Sequence, residues 1–446
     1  MAGDVDGERE GAAPAEYQRI LTPDELRLAA RAGDLLIATT PGAPRGVIAP
    51  GGLPRAPRLV GRDALIEQTL AALSAQPPAP IVSISGPRSQ GKSALAAEVV
   101  ALAAERDMFP GGAIWLACES LSGDPGLAVI LAQVTTALGD AGASPPARAL
   151  IVLDHVESTL DASALLDALA PWNCALLLTA DYALQDDRVR EIPLGLLDLL
   201  ASSELARSIL RQVDARRPME ADEEALFDSL THETAPLALS LSAARIAVMG
   251  LSFNHLSESG VRMPLHSLNT SYTALPEAAR RAWAGLALIA GASFPRGIAL
   301  AVVGAAIREN ADAAMDESWR EEAAETLDAL IGLRMVATLA PGRLALLSQA
   351  RQVASAFSRD GAAEARDIAG AAMANWWLEY ARAQAGLDSG AELAHEAAGL
   401  LGAITWAHAR QRHQLLLDLI ATLPAAVRAL EESRLQAWAA EARAGD

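Results

Sequence analysis

The sequence predicts an α/β parallel-sheet domain, then an α-helical domain, a winged-helix domain and a C-terminal helical segment. Three observations carry this. From about residue 58 to residue 198, short apolar runs alternate with stretches of helical period. Strands buried on both faces of a parallel sheet have this continuous apolar character. Beyond about residue 200 the strand signal fades into helices. One hairpin-like piece, "MVATLAPGRLALLS", then interrupts them with "PGR" as its turn. Helices followed by a small hairpin suggest the winged-helix unit.

The elements follow in order. Residues 1–16 are polar and acidic and are expected to be disordered. "LTPDELRLAARAGDLL" reads as a helix, with Thr22 as its cap, Pro23 in the first turn and acidic residues behind it. Residues 37–57 are rich in Pro and Gly and read as a linker, so 1–57 form a tail, one helix and a connection. In 58–198, "PIVSIS", "GGAIWLACES", "ARALIVLD" and "NCALLLTA" are the strands. "KSALAAEVVALAAERD", "PGLAVILAQVTTALGD" and "ASALLDALA" are the helices between them. "SSELARSILRQVDA", "DEEALFDSLTHE" and "APLALSLSAARIAVMG" make a helical lid at 199–268. The winged-helix unit covers 269–360, and 361–446 is helical throughout, a helical bundle or the opening of a helical array.

Hydrophobic residues make up 51% of the chain and aromatics only 4%, so the core is built from Ala, Leu, Val and Ile. The net charge of -19 repels phosphate backbones and argues against nucleic acid as a partner. Cys118 and Cys174 lie far apart in apolar runs, with neither disulfide nor metal spacing. "AWAGLALIAGASFPRGIALAVVGAAI" is long enough to span a bilayer, but "SFPRG" divides it into two buried helices. The acidic start is the opposite of a secretory leader, so a cytoplasmic location without membrane contact is expected. Trp376, Trp377 and Trp406 stand at helical spacing and read as core. His395, His408 and His413 are dispersed on helices and lack the i, i+4 spacing of metal ligands.

The chemistry concentrates in "ISGPRSQGKSAL", residues 84–95. "GPRSQGKS" fits G-x-x-x-x-G-K-[ST] through Gly86, Pro87, Arg88, Ser89, Gln90, Gly91, Lys92 and Ser93, with Ala94 following in the helix. The glycines let the backbone curl so that its N–H groups face phosphate oxygens, and the helix start adds its positive dipole end. Lys92 supplies a slim cation to the β- and γ-phosphates, and the Ser93 hydroxyl is placed to ligate Mg²⁺. Lys92 is also the only lysine in the chain, where every other basic residue is arginine. A closed anion nest holds a compact ammonium and crowds a planar guanidinium, so the exception itself supports a phosphate site.

A second acidic element is expected on a neighbouring strand, and "ALIVLDHVE" supplies it at Asp154. This carboxylate would hold Mg²⁺ with Ser93, or else cap the helix near "STLDASALL". His155 and Glu157 are candidates to orient an attacking water, or are solvent-facing loop residues.

With these residues in place the chain resembles the NB-ARC branch of the STAND P-loop ATPases, over about residues 58–430. In that family a "VGR" segment touches adenine, which implies this role for Val60, Gly61 and Arg62 of "LVGRDALIEQTLAAL". The family's "GLPLAL" segment sets a proline against the nucleotide and is similar to "TAPLALSLSA", which implies Pro236 and Leu237, with Thr234 and Ala235 departing from the pattern. "LNTSYTALPEAARRAWAGLALIAG" and "GRLALLSQARQVASAF" look like the family's winged helix. The tail from "EAAGLLGAITWAHARQRHQ" is similar to the lead-in of a tetratricopeptide-like array.

Three positions depart from the family. Its fourth strand ends in an arginine that senses the γ-phosphate, where this chain has Asp181 in "LLLTADY". Arg188 and Arg190 are candidates to substitute. The winged-helix histidine that reads ADP falls on "LLS", 346–348, and the usual acidic pair is Asp154-His155. The resemblance implies an ATP- or ADP-binding signalling switch that uses Mg²⁺ and hydrolyses ATP slowly. Protein partners would trigger it, and the ATP state would form a homo-oligomer. Asp181 favours the alternative, a nucleotide-stabilised scaffold that hydrolyses nothing. A third reading is a transcriptional regulator, and the acidic candidate helix "ESWREEAAETLDALIGLR" opposes it.

Overall fold

The computed structural model describes residues 19–39, 47–48, 59–75, 79–118, 123–138, 148–213, 235–251, 264–291, 293–309, 317–360, 363–385, 393, 396–424, 428 and 431–445. The tail 1–16, "DEEALFDSLTHE", Thr234 and His395 lie outside them.

The first helix, α1 (Pro23–Thr39), opens on a reciprocal cap. The Thr22 N–H donates to Glu25 Oε2 at 2.7 Å, and the Glu25 N–H donates to Thr22 Oγ1 at 3.4 Å. The helix runs into the stretch expected to be linker, because no proline follows Pro23 until Pro41. The same stretch supplies β1 (Val47–Ile48), whose two β-branched residues pair parallel with Ala113 and Ile114. Residues 37–39 and 47–48 of the expected linker are therefore helix and strand.

Among the described residues six strands lie parallel in the order β1-β3-β4-β5-β2-β6. They are β1, β2 (Ile81–Ser85), β3 (Ala113–Ala117), β4 (Leu150–Val156), β5 (Ala175–Ala180) and β6 (Val189–Pro193). Alternate side chains feed two cores. Val82, Trp115 and Val152 pack on one face against α2 (Asp63–Leu73) and α3 (Lys92–Glu105). Ile114, Leu153 and Leu178 pack on the other against α4 (Gly123–Leu138) and α5 (Ala162–Leu169). One expectation is corrected by this order. β4, which carries Asp154, does not adjoin β2, because β5 lies between them.

The helices that follow are α6 (Leu199–Val213), α7 (Pro236–Met249), α8 (Pro264–Ala274), α9 (Glu277–Leu286), α10 (Arg296–Arg308) and α11 (Glu317–Gly332). After them come α12 (Ser348–Asp360), α13 (Ala363–Ala385), α14 (Ala397–Ala409), α15 (His413–Thr422) and α16 (Glu432–Gly445). A second, antiparallel sheet is set among them, formed by β7 (Phe294–Pro295), β9 (Arg343–Ala345) and β8 (Ala337–Ala340) in that order. Pro341 and Gly342 make the turn between β8 and β9. The run at 282–307 divides into α9 and α10, and among the described residues no helix is long and apolar enough to cross a membrane.

One buried cluster extends from Leu21 to Ala442 and includes α1, which lies against α11. With so few aromatics, the helices approach closely where tryptophan meets glycine. A Cβ placed on Gly304, Gly297, Gly399 or Gly370 would come within 2.3, 2.9, 2.2 and 2.0 Å of Trp319, Trp376, Trp377 and Trp406 respectively. Trp377 is fully buried, and Trp376 and Trp406 pack partly buried against the same cluster.

Candidate functional site

The loop 86–91 leaves the C-terminal end of β2, where crevices form in open parallel sheets. The register of β2 against β5 sets Ser85 opposite Ala180, and the Gly86 N–H donates to the Ala180 carbonyl at 3.2 Å. Gly86 has φ +152, and a Cβ there would stand 2.3 Å from the Leu194 carbonyl oxygen. Gly91 caps α3 with φ +90, a left-handed conformation that glycine adopts without strain. The loop thus delivers Lys92 to the first turn of α3, facing back into its own curl.

Lys92 is 6% exposed. Its Nζ donates to the Gly86 carbonyl at 2.7 Å, the Pro87 carbonyl at 2.9 Å and Asp181 Oδ1 at 2.8 Å. Arg88 Nε donates to the other oxygen of the same carboxylate at 2.6 Å. Burial pushes the Asp181 carboxyl up, but the bonds from Lys92 and Arg88 outweigh it and hold the group below its ordinary value. Asp181 therefore neither turns away nor stands alone. It is the anion that this loop holds.

One step along α3, the Ser93 hydroxyl donates to Asp154 Oδ1 at 2.7 Å. The Thr179 hydroxyl donates to the same oxygen at 2.6 Å and accepts from the His155 N–H at 2.8 Å. Thr179 is fully buried on β5, so it bridges the strand that separates Asp154 from the loop. The register between β4 and β5 shifts between Leu153 and Val156, and His155 has φ +66. Such irregularities re-aim side chains beside functional sites. Burial raises the Asp154 carboxyl, opposed by the bonds from Thr179 and Ser93. Asp154 does not cap α5, because Asp161 fills that place by accepting from the Ala164 N–H at 3.1 Å.

The other predicted residues are placed unevenly. His155 lies close enough to Asp154 and Asp181 to act on both carboxylates electrostatically. Glu157 follows the end of β4, and its carbonyl accepts from the Tyr182 hydroxyl at 3.1 Å. Arg62 is buried and donates to the Gly195 carbonyl at 2.6 Å, which ties "VGR" to the chain after β6. Burial draws the Arg62 guanidinium below its ordinary value, and Asp198 partly offsets this. Val60 is partly buried and Gly61 exposed, with the Cβ of Ala201 filling the space where a Gly61 side chain would begin. Pro236 is the first residue of α7, which packs on α6, while Leu237 packs against the helical core.

Arg188 and Arg190 are not brought to the loop. Arg188 precedes β6, the neighbour of β2, at the end of the strands away from the loop, where it pairs with Asp167 at 2.6 Å and Asp186 at 2.8 Å and draws Asp186 down to about 2. Arg190 is exposed on β6, level with Val82 rather than with the loop.

Two features of the loop are not legible in the sequence. Ser89, at φ +68, donates to Gln349 Oε1 at 2.6 Å and so joins the loop to the first turn of α12. The Gln90 side chain is 6% exposed, and its Oε1 has no hydrogen-bond partner among the described residues. A buried acceptor without a donor costs ~1–3 kcal/mol, which a bound group carrying an N–H or O–H would relieve.

The donor set suits Mg²⁺ bound with a phosphate. The oxygens of Ser93 and Asp154 meet at one point, and Mg²⁺ takes one or two protein oxygens beside phosphate and water. Among the described residues no group of three or more His, Cys, Asp or Glu could hold a metal by itself. His408 instead stacks on Trp438 and bonds Glu441 at 3.0 Å. A scan against protein-family models found no match, and a comparison with curated protein sequences found none either.

Proposed function

We propose that the chain is an adenine-nucleotide-binding switch of the STAND type, with ATP or ADP held by the loop 86–94 and Mg²⁺ by Ser93 and Asp154. The observation that carries this is the meeting of one buried ammonium, one helix N-terminus and a serine–aspartate pair at the C-terminal edge of a parallel sheet. Backbone N–H groups and Lys92 bind the phosphates, and the metal offsets their charge. The "VGR" segment and Pro236 flank the base. Residues 269–360 act as the winged helix and 361–446 as a tetratricopeptide-like segment, with protein partners supplying trigger and output in the cytoplasm.

The Ser89–Gln349 bond gives the switch a physical route. A phosphate entering the loop changes what Ser89 can reach, and α12 feels that change. Nucleotides that bind the two arrangements with different affinity shift their populations. Hydrolysis, where it occurs, needs a water oriented by His155 or Glu157.

Titration calorimetry with ADP and with Mg-ATP tests the site. Micromolar binding that Lys92→Ala abolishes supports the reading, and no heat from either nucleotide sinks it. The second reading, a scaffold without turnover, is favoured by Asp181 at the loop. Phosphate release above that of Asp154→Ala would exclude it.

A further inference from the structure

We infer that Asp181 sets the number of phosphates this site accepts, admitting a nucleoside diphosphate and disfavouring the triphosphate. The inference rests on the nucleotide reading above and concerns selectivity within it.

An ammonium has three N–H donors. All three of Lys92's are engaged: two on loop carbonyls and one on Asp181. The carbonyls belong to the backbone of the loop and cannot leave without unfolding it. Any phosphate that reaches Lys92 must therefore displace the carboxylate. The displaced group cannot go far. Its neighbour Ala180 is fixed by the pairing of β5 with β2 and by the bond from the Gly86 N–H. Arg88 Nε also holds the other carboxylate oxygen.

The negative charge thus stays beside the phosphates. It weighs more heavily on a ligand that carries one more charged group in that direction. Arg188 and Arg190, the cations that would offset a terminal phosphate, are elsewhere on the sheet.

The test compares ADP and ATP by calorimetry on the full chain, in EDTA so that no Mg²⁺ bridges carboxylate and phosphate. The proteins are wild type, Asp181→Asn and Asp181→Ser, each checked for its fold by circular dichroism. Wild type is expected to bind ADP at least about tenfold more tightly than ATP. Both variants are expected to bind either nucleotide more tightly, with ATP gaining about tenfold more than ADP. Two variants guard against one that fails to fold. Equal gains for the two nucleotides, or none, overturn the inference and leave the nucleotide reading standing. Failure of all three proteins to bind either nucleotide, both in EDTA and with Mg²⁺ restored, overturns both.

Discussion

Thr179→Val removes one hydroxyl and keeps the shape of the side chain. The loss falls on two partners. The His155 N–H, which donates to Thr179 Oγ1 at 2.8 Å, is left without its acceptor. Asp154 Oδ1 keeps Ser93 at 2.7 Å but loses the 2.6 Å bond from Thr179. Thr179 is fully buried, so water does not readily replace either bond. An orphaned buried donor costs ~1–3 kcal/mol, and a charged acceptor losing one of two donors adds to it. A net cost of ~2 kcal/mol corresponds to about 30-fold more frequent local opening. Hydrogen exchange read by mass spectrometry over 150–156 and 175–180, without nucleotide, measures it where the helical core contributes nothing. Thr179→Ser keeps the hydroxyl and is the control. Because the Thr179 bond opposes the upward push of burial on Asp154, the valine variant also raises that carboxyl further. If Thr179→Val exchanges no faster than Thr179→Ser, the bridge has no energetic role and the reasoning fails.

Lys92→Arg keeps the charge but is expected to weaken nucleotide binding by at least ~10-fold in calorimetry, because a guanidinium is too wide for a position between two carbonyls. Unchanged affinity would remove the meaning given to the single lysine. Gly86→Ala forces a Cβ to within 2.3 Å of the Leu194 carbonyl, so it should destabilise the sheet by at least ~2 kcal/mol, seen as a lower thermal midpoint, and abolish binding. A midpoint equal to wild type contradicts the packing described. The Arg19 bond holds the Glu25 carboxyl below its ordinary 4.5, so Glu25 contributes stability above 4.5 and loses it as pH falls through the lowered value. Acid should therefore expose α1 to proteolysis, and Glu25→Gln should be cleaved as readily at neutral pH as wild type is in acid.

Much of this architecture was legible in the chain. The strands are apolar on both faces, which marks a covered parallel sheet, and "GPRSQGKS" between strand and helix marks the loop. The cap Thr22 follows from side-chain chemistry at a helix start. What escaped was long-range. Val47–Ile48 is too short to register as a strand, and only β3 makes it one. Strand order depends on crossovers rather than on local pattern, so the separation of Asp154 from the loop by β5 could not be read from spacing. Thr179 stands in plain view in "LLLTADY", but its role depends on that order. Asp181 could be recognised as misplaced for a phosphate site, whereas its bonds to Lys92 and Arg88 required the fold.

The tryptophan–glycine contacts tie pairs of positions to one another across helices. At Gly399 and Trp377, or Gly370 and Trp406, neither residue can change size while the other stays as it is. Enlarging the glycine alone drives a side chain into a ring, and shrinking the tryptophan alone opens a cavity. Both together restore the volume. Related chains should therefore differ at these sites by compensated exchanges, and a double variant such as Gly399→Leu with Trp377→Ala should be more stable than the sum of its single changes implies.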